Sequence, residues 1–89
     1  MSDSALKFST AADLDAAKIV AEKCAKGGAA LKPIGKEVLE SLDEGSLPES
    51  TYERLARMCH NKNVDHKRNV LLAKELSNFL FGEVIKPSK

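Results

Sequence analysis

The stretch Asp65-His66-Lys67-Arg68-Asn69-Val70-Leu71-Leu72-Ala73-Lys74-Glu75-Leu76-Ser77-Asn78-Phe79-Leu80-Phe81-Gly82 carries the most informative pattern in the chain. Leu72, Leu76, Phe79 and Leu80 recur at spacings of three and four, the repeat that lines one face of an α-helix. Asp65 is the residue type that caps a helix start, and Gly82 the type that follows a helix end. Val70, Ala73, Phe81 and Val84 widen the apolar arc well past that face, and Leu71 stands apart on the polar side. A helix over 66–82 therefore has more apolar surface than one core contact needs.

The same reading extends towards the N-terminus. Tyr52, Leu55, Ala56 and Cys59 form an apolar stripe behind two overlapping cap signatures, Ser46 to Glu49 and Ser50 to Glu53, which predicts a helix over 49–61. Its end is expected at Asn61-Lys62-Asn63, because Asn tolerates the left-handed conformation. Leu31, Ile34, Val38 and Leu42 predict a helix over 33–44, with Pro33 in its first turn and Gly45 just beyond it. Leu14, Ala17, Val20, Ala21 and Cys24 predict one over 11–26, opened by Thr10 with Asp13 three residues later and stopped by a left-handed residue at Gly27-Gly28. No long period-two alternation or internal repeat is present. The fold class is all-α, an irregular bundle of four helices joined by short connections.

The chain has 89 residues, and 43% are hydrophobic, 11 of them alanine. That supports one small core over 10–85, with a loosely ordered arm at 1–9 and a disordered tail at 86–89. Leu6 and Phe8 are available to fold back from the arm. The charged fraction of 30% and a net charge of +1 exclude both wholesale disorder and indiscriminate binding to nucleic acid by charge alone. The N-terminus has neither a basic nor an apolar signal region, no apolar run approaches a membrane span, and two cysteines suit a reducing compartment. A cytoplasmic protein with no membrane partner is expected.

The residues that could perform chemistry do not converge. Cys24, Cys59, His60 and His66 are the best metal ligands, but the cysteines lie 35 positions apart and the neighbours Cys59 and His60 diverge by about 100° on a helix. No metal site or cofactor is expected. The acids between Glu37 and Glu53 read as a solvated face rather than an acid/base pair in a desolvated cleft. Gly27-Gly28 and Gly35-Lys36 lack the remainder of a phosphate loop. Without a nucleophile, a base and an oxyanion donor in one motif, no enzyme is expected.

Charge distribution is more informative than its total. Residues 18–36 carry a net +4, residues 37–53 a net −6 and residues 54–74 a net +5. Such blocks either complement one another within the fold or polarise its surface. Arg54, Arg57, Lys62, Lys67 and Arg68 cluster about the third and fourth helices as a candidate basic surface for a partner protein or nucleic acid. Leu71, Phe81, Val84 and Ile85, outside the main stripe, form a candidate apolar interface. Together they predict a protein–protein interaction module, an adaptor, inhibitor or regulatory subunit, that acts on another protein or pairs as a homodimer. The alternative is a DNA-binding regulator using a helix-turn-helix-like element over 49–82, with His66, Lys67 and Arg68 at the start of its second helix.

Overall fold

The computed structural model describes residues 4–6, 8 and 10–87. Four α-helices make up the fold: α1 (Ala11–Ala25), α2 (Lys32–Glu44), α3 (Glu49–Cys59) and α4 (Lys67–Phe81). A 3-10 turn, Val64–His66, leads into α4. Ser4–Ala5 pairs antiparallel with Ser46–Leu47, in the register Ser4 opposite Leu47 and Ala5 opposite Ser46. Two residues a side make no layer, so the bundle remains all-α. The Leu6 amide extends this contact by donating to the Gly45 carbonyl at 2.9 Å, and Leu6 itself enters the core. Parts of the expected arm at 1–9 and tail at 86–89 lie outside the described residues.

The helices alternate in direction. One end of the bundle gathers the end of α1, the following glycines and the start of α4, which line a common pocket. The other gathers the β pairing, Gly45 at the end of α2, and Tyr52 near the start of α3, whose ring meets Phe81 at the end of α4 edge to face, with centroids 5.3 Å apart. Most residues of the predicted stripes enter the core, joined by Leu6, Met58 and Ile85. Ala17, Val20, Ala21 and Cys24 from α1 meet Ile34, Val38 and Leu42 from α2, Leu55, Ala56 and Cys59 from α3, and Ala73, Leu76 and Leu80 from α4, with Leu31 and Leu47 sealing the connections. α1 and α2 form the most extensive helix pair. Ala21 and Ala25 on one helix and Gly35 on the other allow this, since small residues let two backbones approach closely.

The caps separate correct from incorrect expectations. The Thr10 hydroxyl accepts from the Asp13 amide at 3.2 Å, as predicted. Gly45 and Gly82 end α2 and α4 in the left-handed conformation, with φ of 79° and 76°. At the end of α1, however, neither Gly27 nor Gly28 has positive φ, and Lys26 at φ −98° closes the helix through its amide to the Glu22 and Cys24 carbonyls. α3 stops at Cys59, two residues before the expected end, and no Asn in the following turn is left-handed. Asp65 does not cap α4. Asn63 instead accepts from the Asp65 amide at 2.9 Å to cap the 3-10 turn, and α4 begins at Lys67 behind His66. Phe79, expected in the core stripe, is 40% exposed.

Polar residues complete the interior. Ser41, Thr51 and Ser77 are buried, and no buried side-chain polar atom among the described residues lacks a partner. Ser41 Oγ donates to the Glu37 carbonyl at 2.7 Å, and Thr51 Oγ1 to the Glu37 carboxylate at 3.1 Å. Burial pushes both the Cys24 and Cys59 thiols up to about 11. At neutral pH they remain protonated, as small hydrophobic side chains.

Candidate functional site

The four candidates for an apolar interface have different fates. Leu71 is 62% exposed on α4. Phe81 is half-buried against Tyr52, and Val84 is half-buried beside the core. Ile85 is a core residue, only 3% exposed, which corrects its assignment to the surface. The cause is a reversal at Gly82 that sequence spacing does not encode. Ser77 Oγ donates to the Glu83 carbonyl at 2.7 Å and accepts from the Ile85 amide at 2.9 Å, turning the chain back along α4. His60 Nε2 then donates to the Ile85 carbonyl at 3.0 Å, tying this segment to the end of α3.

On α4 the large apolar residues left outside are Leu71 and Phe79; Ile19 on α1 and Val64 in the 3-10 turn are exposed elsewhere. The α4 pair belongs to a row at every fourth position, Lys67, Leu71, Glu75 and Phe79, and all four are exposed. Leu71 and Phe79 stand about 12 Å apart along the helix. Lys74 and Asn78 are exposed beside them. The signal for Leu71 was present in the sequence. That for Phe79 was masked, because one helical period fits both an inner and a flanking position.

The basic cluster also divides. Arg54 pairs with Glu37 of α2, and Thr51 donates to that same carboxylate. Arg54 thus complements the acidic segment within the fold. Arg57, Lys62 and Lys67 are exposed. Arg68 faces a different neighbourhood: with Asn69 and Leu72 of α4, Lys23 and Lys26 from the end of α1, and Gly27-Gly28, it lines a pocket of about 420 Å³. Lys23 and Lys26 lie at the end of α1, more than 40 residues before Arg68. Their convergence with Arg68 depends on tertiary contact and could not be read from spacing.

His60 and His66 are occupied structurally. His60 holds the C-terminal segment, and His66 is half-buried, its Nδ1 accepting from Asn69 Nδ2 at 3.3 Å. Among the described residues no three His, Cys, Asp or Glu side chains group as metal ligands, and no helix is long and apolar enough to cross a membrane. No protein family, curated protein or solved structure matches the chain.

Proposed function

We propose that the protein is a small helical interaction module whose outer α4 surface docks a predominantly acidic, amphipathic segment of another protein. The observation that carries this reading is the exposed row Lys67, Leu71, Glu75 and Phe79, with two large apolar side chains outside the core. Lys67 and Lys74 flank Leu71 on α4, against Glu75 alone. An apolar anchor flanked by cations complements a partner helix carrying apolar residues and carboxylates. Arg57 and Lys62, exposed on and just after α3, add steering charge.

Charge opposes a second copy in the registers centred on Glu75, whereas an antiparallel pair about Leu71, which sets Lys67 against Glu75, is the self-association that sedimentation tests. Two chains pairing in register through the row, parallel or antiparallel about Glu75, bring Glu75 against its own counterpart. Like charges placed opposite one another oppose association. DNA is disfavoured by the same residues, since Glu75 repels phosphate and Leu71 and Phe79 have no polar atom to read a base edge.

The test combines three measurements on the purified protein and its Leu71→Asp variant. A monomer in sedimentation at high micromolar concentration, weak duplex-DNA binding at physiological salt, and saturable binding of an acidic amphipathic helical peptide that Leu71→Asp weakens at least tenfold support the proposal. A dimer dissolved by Leu71→Asp, or tight duplex binding with a steep salt dependence, overturns it in favour of self-association or nucleic-acid binding.

A further inference from the structure

The pocket between α1 and α4 has an unusual electrostatic setting. Lys23, Lys26 and Arg68 all line it, Asn69 supplies a side-chain amide, Leu72 supplies an apolar wall, and no carboxylate is among the lining residues. Lys23 is well placed for its own helix, because the end of α1 carries the negative pole of the helix dipole. Arg68 is badly placed for its helix. It sits in the first turn of α4 beside Lys67, with no acid in that turn and no side-chain cap from His66.

The neighbouring α2 repeats the pattern. It starts at Lys32, has no acid in its first turn and no side-chain cap, and its first amide donates to the carbonyl of the pocket residue Gly28 at 3.0 Å. Three cationic side chains thus meet beside the uncapped start of α4, with the end of α1 offsetting only part of their charge. Local conflicts of this kind concentrate at functional sites, where a ligand supplies the missing complement.

The geometry points to a binding site for the diphosphate group of a small ligand, independent of the docking row on α4. Three cations exceed what one carboxylate neutralises, whereas linked phosphates carry several negative charges and many acceptor oxygens. Arginine makes bidentate contacts with phosphate, and lysines serve as point charges around it. A volume of about 420 Å³ lies within the range of small-ligand pockets, leaving room for an organic portion against Leu72. Gly28 keeps the wall open: a β-carbon there would lie 3.1 Å from Asn69 Nδ2, the amide that His66 holds in place.

The test titrates inorganic pyrophosphate into the full chain while amide resonances are followed, with citrate as a carboxylate anion of comparable charge. The expected result is saturable shifts at Gly27, Gly28, Arg68 and Asn69, with pyrophosphate binding at least tenfold tighter than citrate. Arg68→Gln should weaken it at least tenfold. Arg54→Gln, which removes the same charge at the α2–α3 contact, should leave it unchanged. Helical dichroism establishes that both variants are folded. Absence of saturable shifts to millimolar pyrophosphate, equal affinity for citrate, or equal losses in the two variants would overturn the assignment.

Discussion

Gly35 lies so close to Ala25 that a β-carbon on it would sit 2.3 Å from the Ala25 amide nitrogen and 2.8 Å from the Ala21 carbonyl oxygen. Both groups belong to the backbone, so no side-chain rotation relieves the contact. Gly35→Ala improves helix propensity by about 1 kcal/mol. It is nevertheless expected to destabilise the protein by about 1–3 kcal/mol, because α1 and α2 must move apart. Urea denaturation checks the sign. A variant as stable as the parent would show that α1 and α2 do not pack this closely at Gly35.

Ser77 fixes the C-terminal reversal through two hydrogen bonds, one donated and one accepted. Ser77→Ala leaves the buried Ile85 amide without its partner, at an expected cost of about 1–3 kcal/mol. Hydrogen exchange should also show the Ile85 amide losing protection more than amides at the centre of α4. Uniform loss across α4 would mean that the reversal is not a separable unit.

The buried thiols make a pH-dependent contribution. Cys24 and Cys59 each rise from an ordinary value of 9.0 to about 11, chiefly through desolvation of the thiolate. The folded state therefore retains these protons where the unfolded chain has lost them. Their stabilisation is fully present below pH 9 and is lost as pH rises towards 11. Urea midpoints at pH 8 and 10.5 should fall more for the parent than for the Cys24→Ala/Cys59→Ala double variant. Parallel profiles would contradict the assignment.

Arg54 and Glu37 form a partly exposed pair, with side chains 42% and 37% accessible. Arg54→Ala is expected to cost no more than about 1 kcal/mol, since solvent screens such pairs. Lys67→Glu should instead slow association with an acidic partner. Stopped-flow binding distinguishes these roles. Equal slowing by both variants would return Arg54 to the docking surface.

The helices were legible because their signals are local. Leu31, Ile34, Val38 and Leu42 repeat within one segment, and Gly45 ends that segment in the left-handed conformation its position implies. Events joining distant positions were not legible. Ile85 is buried through Ser77 and His60, the latter 25 residues earlier, and Arg54 meets Glu37 across 17 residues. Helical period also could not place Phe79 inside or outside, because packing by α1 and α3 decides which flank of α4 is covered. The basic residues around 54–68 were visible as composition, but their division between an internal pair, an exposed group and a pocket required the tertiary arrangement.

The docking row on α4 is tested most directly by photo-crosslinking in the native host from a photoreactive residue placed at position 71. Position 79 should capture the same protein, and the outward-facing position 64 should not. The account predicts that the crosslink maps to an acidic amphipathic segment, and that Leu71→Asp weakens the purified segment's binding at least tenfold. Capture of a second copy of this chain, crosslinking to DNA, or the same products from all three positions would contradict it.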